Sequence, residues 1–199
     1  MTTIHTRRSP ELEGSVLQDT ILTFLLAESG RTEEAVAALA AATSGDLDRY
    51  AGMSRLPALA FLANTSATLG VADHAAELYE RLVPDERCHV VIPRWLSGGV
   101  VTGPVPYFLG RLKHLQGDPA SAVRHYERTL AMNEELCSWG SQARTLLDYA
   151  AALLALLEPD TARAATSLAS ARAIVEEVGM PQVIPYLESL EALSRGVRS

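Results

Sequence analysis

One phrase recurs along this chain and constrains the fold more than any other: an apolar run, a glycine, then a second run with a small residue and an aromatic or leucine at fixed offsets. It is clearest in LKHLQGDPASAVRHYERTL, residues 112–130. Gly117 interrupts the first run, and Ala122, Tyr126 and Leu130 step along one face of the second. Asp118 is a good N-cap, and Pro119 falls at the first helical position, where its missing N–H costs nothing. The phrase therefore predicts two helices joined by a tight turn, with Ala122 small enough to let them approach closely.

Two further stretches share this grammar. Aligned on Gly30, Gly70 and Gly117, the residues Ala35, Ala75 and Ala122 each lie five positions on, and Leu39, Tyr79 and Tyr126 each lie nine on. Agreement of type and spacing argues for an internal repeat, although the glycines are unevenly set, 40 and 47 residues apart. In the first unit Val16, Leu17, Ile21, Phe24 and Leu25 follow helical steps, Ser15 suits the cap, and Thr32 is expected to cap a second helix with Glu33 and Glu34 at its positive end. Val36 and Leu39 mark that helix's buried face. A fourth unit lacks the glycine: SWGSQARTLLDYAAALLALL, a turn at Glu158-Pro159-Asp160, then TARAATSLASARAIVEEVG. Pro181 opens a last helix through Ile184, Leu187 and Leu190, suited to covering the end of an array.

The pattern predicts an all-α fold: a right-handed superhelix of about four antiparallel helix pairs plus a C-terminal capping helix, over residues 15–199, behind a flexible tail at 1–14. The irregular region is Arg87 to Pro106. Its short β-branched run CHVVI is expected to be an extended connection, not part of a sheet. The region is either a long loop or, as the favoured expectation, a helix that starts near Trp95 and kinks at Gly103-Pro104.

Charge and cysteine usage narrow the function classes. The formal net charge is −7, which disfavours nucleic-acid binding, since that draws on many cations neutralising phosphates. Lys113 is the only lysine. Two cysteines, Cys88 and Cys137, make no disulfide framework and fit a reduced compartment. The start MTTIHTRRSPELEGS has no apolar core of a signal peptide, and the apolar runs ILTFLLA and YAALLALL fall well short of the ~20 residues of a membrane span. The expectation is a cytoplasmic protein with no membrane or nucleic-acid partner, and the initial methionine favours a free-standing one.

The LG…A…YE pattern resembles tetratricopeptide repeats, though its periods exceed the usual ~34-residue unit. The stretch from Leu62 to Leu157 is similar to one group in particular: the C-terminal helical-repeat region of large bacterial signal-transduction regulators that couple an ATPase module to a cyclase or a DNA-binding domain. TLGVADHAAELYERLVP, GPVPYFLGRLKHLQGD, AVRHYERTLAMNEEL and ARTLLDYAAALLA carry the likeness. There is no G-x-x-x-x-G-K-[ST] loop, so the resemblance implies the sensing or docking part alone.

Catalytic signals are sparse. His74 and Glu77 have a ligand-like spacing, but no second copy accompanies them. Cys88-His89 beside Arg87 could form a reactive thiolate, with an incidental cysteine the default. Gly98, Gly99 and Gly103 lack dinucleotide spacing, and there is no G-x-S-x-G elbow or H-E-x-x-H pair. Asp148 and Tyr149, with Arg144 one turn earlier, could line a pocket. No cofactor is expected. The surplus that packing explains least is cationic and aromatic: Arg94, Trp95, Tyr107, Arg111, Trp139 and Arg144. On the first helices of stacked pairs, such residues suit an anionic or aromatic ligand or a peptide. The expected function is a non-catalytic recognition module binding a protein or peptide partner in a concave groove. The alternatives are a regulatory domain sensing a small anionic or aromatic molecule, and an enzyme of specialised metabolism using that groove.

Overall fold

A computed structural model describes residues 10–92, 100–136 and 138–197. Arg94, Trp95, Gly98, Gly99 and Cys137 lie outside these, as do the first nine residues. The described chain is mostly helical. In order it forms α1 (Pro10–Glu28), α2 (Thr32–Thr43), α3 (Arg55–Leu69), α4 (Ala75–Leu82), β1 (His89–Ile92), β2 (Val100–Pro104), α5 (Val105–Leu115), α6 (Pro119–Leu136), α7 (Trp139–Leu154), α8 (Thr161–Val178) and α9 (Ile184–Val197).

The turn chemistry acts where the residues place it. Gly30, Gly70 and Gly117 have φ of 74°, 71° and 74°, the left-handed region that ends a helix without a Cβ penalty. Asp118 accepts from the Ser121 N–H at 3.0 Å, capping α6 behind Pro119. Asp160 does the same for α8 through the Arg163 N–H at 3.0 Å. Ala35, Ala75 and Ala122 are fully buried at the joints. The buried face of α2 is Ala35, Leu39 and Ala42, while Val36 is exposed. Thr32 is the first helical residue of α2, behind Arg31, and not its cap. Likewise α1 starts at Pro10, so Ser15 lies within a helix rather than before one, and residues 10–14 of the expected tail are helical.

The region after α4 departs from expectation. His89–Ile92 pairs antiparallel with Val100–Pro104, with a register irregularity between Val90 and Val91. The β-branched residues favour the extended state on both sides. Val90 is buried beneath this ladder. Gly103, at φ 144°, adopts a conformation closed to most side chains, and Pro104 is extended. The helix therefore begins after the Gly-Pro step instead of kinking through it.

Helices pack on their neighbours throughout. Each pair joined by a turn packs together, and α1 also meets α3, α3 meets α5, α5 meets α7 and α7 meets α9. The core divides in two. One cluster joins residues of α1–α5 and β1, from Leu17 to Leu112; the other joins α6–α9, from Ala122 to Leu190. Tyr107 packs against both. The helices α5 and α6 meet across this division: a Cβ built on Gly110 would lie 2.7 Å from Tyr126 Cε1 and 2.9 Å from its Cδ1, so the ring occupies the space a side chain would need.

Candidate functional site

Where the two clusters meet, odd-numbered helices open a cleft of about 420 Å³. Its walls include Glu28 at the end of α1, Thr68 on α3, Tyr107 and Arg111 on α5, Arg144 and Asp148 on α7, and Tyr186 on α9. A second cavity of about 250 Å³ adjoins it, sharing Ala67, Arg111, Asp148 and Tyr186 and adding His114 and Tyr126.

Helical spacing supplies the local logic. Tyr107 and Arg111 are four apart on α5, as are Arg144 and Asp148 on α7, so each pair shares a face. Tertiary packing turns those faces toward each other. Asp148 is the hub. Its Oδ2 accepts from the Tyr107 hydroxyl at 3.0 Å and lies 3.6 Å from Arg111 Nε, and its Oδ1 accepts from the Tyr186 hydroxyl at 3.4 Å. Arg111 and Asp148 side chains are only 17% and 13% exposed, so their attraction is poorly screened. The Nη1 of Arg111 also donates to the Asn64 carbonyl at 3.4 Å and to the Asn64 side-chain oxygen. Its guanidinium carbon lies 6.0 Å from the Tyr107 ring centroid. At the cleft's other wall Arg144 lies 3.6 Å from Glu28.

These contacts set the protonation states. Burial opposes the charge on Arg111, but Tyr107 and Asp148 outweigh it and hold its proton more firmly than usual. Burial first, and then the Asp148 carboxylate, pushes Tyr107 and Tyr186 above the usual phenol range. Burial does the same to Tyr126 and lowers His114, leaving a neutral imidazole at neutral pH. The lining thus presents neutral phenols, a neutral imidazole and two cation–carboxylate pairs.

Among the residues expected to recognise a ligand, the structure brings together Tyr107, Arg111 and Arg144. Trp139, at the start of α7, is 55% exposed and is not part of the cleft lining. Arg94 and Trp95 fall outside the described residues. Asp148 takes the central position, while its neighbour Tyr149 turns away and donates to Glu127 at 3.1 Å. Glu28, Asn64, His114, Tyr126 and Tyr186 had no sequence signal tying them to a site. The nearest hint was the four-residue spacing of Arg144 and Asp148. His74 Nδ1 lies 3.9 Å from Glu77 Oε2, with both side chains substantially exposed, and Cys88 is exposed next to β1. No group of three or more His, Cys, Asp or Glu that could hold a metal ion occurs among the described residues. No described helix is long and apolar enough to cross a membrane.

No protein family, curated protein or solved structure matches this chain.

Proposed function

We propose that the chain is a non-catalytic, cytoplasmic recognition module of tetratricopeptide-like helix pairs, stacked as a right-handed superhelix, that takes a protein or peptide segment in the groove along its first helices. One observation carries this reading: the cleft draws a polar side chain from α1, α3, α5 and α7 and from the terminal α9, and its charges are already balanced within it as Arg111–Asp148 and Arg144–Glu28. A charge-balanced wall with phenols between the ion pairs suits a chain segment, whose backbone offers donors and acceptors in alternation. Packing of each odd helix on the next odd helix supports the stacked arrangement. Pairing also rigidifies the wall, which lowers the ordering cost of binding.

Selection of displayed random peptides on the wild-type protein, with affinities then measured on Arg111→Ala and Tyr186→Ala, tests the proposal. The expected result is enriched peptides whose affinity falls at least about tenfold, ~1.4 kcal/mol, on either variant, with helical circular dichroism preserved. No enrichment, or equal binding to wild type and both folded variants, sinks it.

A further inference from the structure

The cavity beside the cleft contains a polar group with no partner. Tyr126 is fully buried on α6, and its hydroxyl makes no hydrogen bond. It is nevertheless close enough to Asp148 and Arg111 for their charges to act on it. Burying a hydroxyl unpaired is costly, and most buried side-chain polar atoms find a partner. The equivalent tyrosine one unit earlier, Tyr79, has one: its hydroxyl lies 3.1 Å from His125 Nε2. Phenylalanine would fill the same space at position 126 without the penalty. Tyr126 therefore presents a donor that the folded chain does not use.

The wall next to it is lightly held. Tyr186 is 42% exposed and reaches Asp148 Oδ1 through a single 3.4 Å hydrogen bond, near the outer limit for such a contact. If that phenol swings outward, Asp148 Oδ1 becomes a free acceptor beside the unused Tyr126 donor. The other oxygen, Oδ2, stays occupied by Tyr107 and Arg111. A donor and an acceptor then face one small space of about 250 Å³ with aromatic walls.

We infer that this side cavity is a subsite for a primary carboxamide, whose oxygen accepts from the Tyr126 hydroxyl while its N–H replaces the Tyr186 hydroxyl on Asp148 Oδ1. An anion fits less well: the Arg111 charge is already balanced by Asp148, His114 is neutral, and an entering carboxylate would meet the Asp148 carboxylate directly. A ketone or ester supplies the acceptor but no donor for Oδ1. The inference does not rest on the peptide reading of the groove, because a free small amide and a glutamine or asparagine side chain offer the same group.

The probes are benzamide, acetophenone and benzoate, similar in size and differing in the polar group, titrated into the full chain by calorimetry and by heteronuclear NMR of the His114 ring. Benzamide is expected to bind at least about tenfold more tightly than either of the others. Tyr126→Phe should weaken benzamide about tenfold and, by removing an unpaired buried hydroxyl, leave thermal stability unchanged or raised. Tyr186→Phe, which vacates Asp148 Oδ1, should tighten benzamide severalfold, an effect that a merely structural role for Tyr186 would not produce. Absence of saturable benzamide binding up to its solubility limit would mean that the cavity holds water alone and would overturn the proposal. Benzoate binding as well as benzamide, or benzamide affinity unchanged in folded Tyr126→Phe, would also overturn it. A capped Gly-Gln-Gly peptide measured against its Gly-Glu-Gly counterpart then identifies the source. A preference for glutamine shows that a side chain can enter, and benzamide binding without it assigns the subsite to free small amides.

Discussion

The N-terminal and C-terminal halves of the core are built from the same helix–turn–helix grammar but finish differently. The N-terminal cluster is closed by a β-hairpin whose Val90 is buried against it, and it is rich in phenylalanine and leucine: Phe61, Leu62, Leu78, Leu82, Phe108 and Leu109. The C-terminal cluster is closed by α9; its buried alanines and leucines are about as frequent as those of the N-terminal cluster, but among the described residues it contains no phenylalanine. The division between them does not fall between two helix pairs. It runs inside one, between α5 and α6, so a single pair belongs to both cores. The cleft opens beside this seam, between α5 of one cluster and α7 and α9 of the other, where polar groups can be half-buried and still find partners. Binding sites favour such boundaries for the same reason.

The largest expected disruption is at the seam itself. Gly110→Val drives side-chain atoms into the fully buried Tyr126 ring and should cost at least the ~1–3 kcal/mol typical of overpacking. Chemical denaturation measures this. If the two cores are coupled through this contact, separate probes of the two halves should also lose their common midpoint. Asp148→Ala comes next. It strips an acceptor from Tyr107 and Tyr186 and leaves Arg111 without its counter-charge, which should cost about 2–3 kcal/mol. Asp148→Asn should recover part of that loss, because the amide oxygen can still accept from Tyr107. Ala122→Leu tests the C-terminal core away from the ion pair. Ala122 is fully buried where α6 turns back on α5, and the added bulk should cost roughly 1–3 kcal/mol in thermal or denaturant unfolding. Unchanged stability there would show that the α5–α6 joint is loosely packed.

Smaller effects sharpen the same contrast. His114 on α5 and His125 on α6 face each other's halves across the seam, and burial lowers both below their unfolded value of about 6.5. Their unfolded forms bind protons more readily, so their contribution is complete above that pH and is lost as pH falls through it. Denaturant midpoints at pH 7.5 and 5.8 should therefore differ, with the lower value at 5.8. A His114→Gln, His125→Gln double variant should flatten that difference. The smallest effect is expected for Trp139→Ala. The ring is exposed at the start of α7, outside the cleft, so stability should stay within about 0.5 kcal/mol.

The contrast between legible and hidden features follows the range of the forces involved. Gly30, Gly70, Gly117, Asp118-Pro119 and Asp160 fix helix ends through backbone geometry and bonds spanning three residues, so their effect is written within a few positions of each. The alanines at the joints are equally plain, because close helix approach admits little else. The hairpin is hidden in the sequence for a related reason. Short β-branched runs fit an extended connection as well as a strand, and Gly103-Pro104 fits a kink as well as a strand end. Only the pairing of Val90 with Gly103, and the burial of Val90 under α3, selects between them.

The site depended on tertiary structure far more. Asp148 meets Tyr107 41 positions before it and Tyr186 38 positions after it, and no local pattern marks such partners. Tyr79 and Tyr126 occupy the same place in the helix grammar, and the sequence alone determined that both would be inward-facing aromatics on second helices. Their chemistry differs because of what each meets. Tyr79 finds the His125 ring on the following second helix, whereas Tyr126 meets the Cβ-less face of Gly110 and ends beside a cavity without a partner. Side-chain type and spacing decide which face of a helix is buried. Which polar atoms find partners there is decided only when helices distant in the chain are brought within hydrogen-bonding distance, about 3 Å.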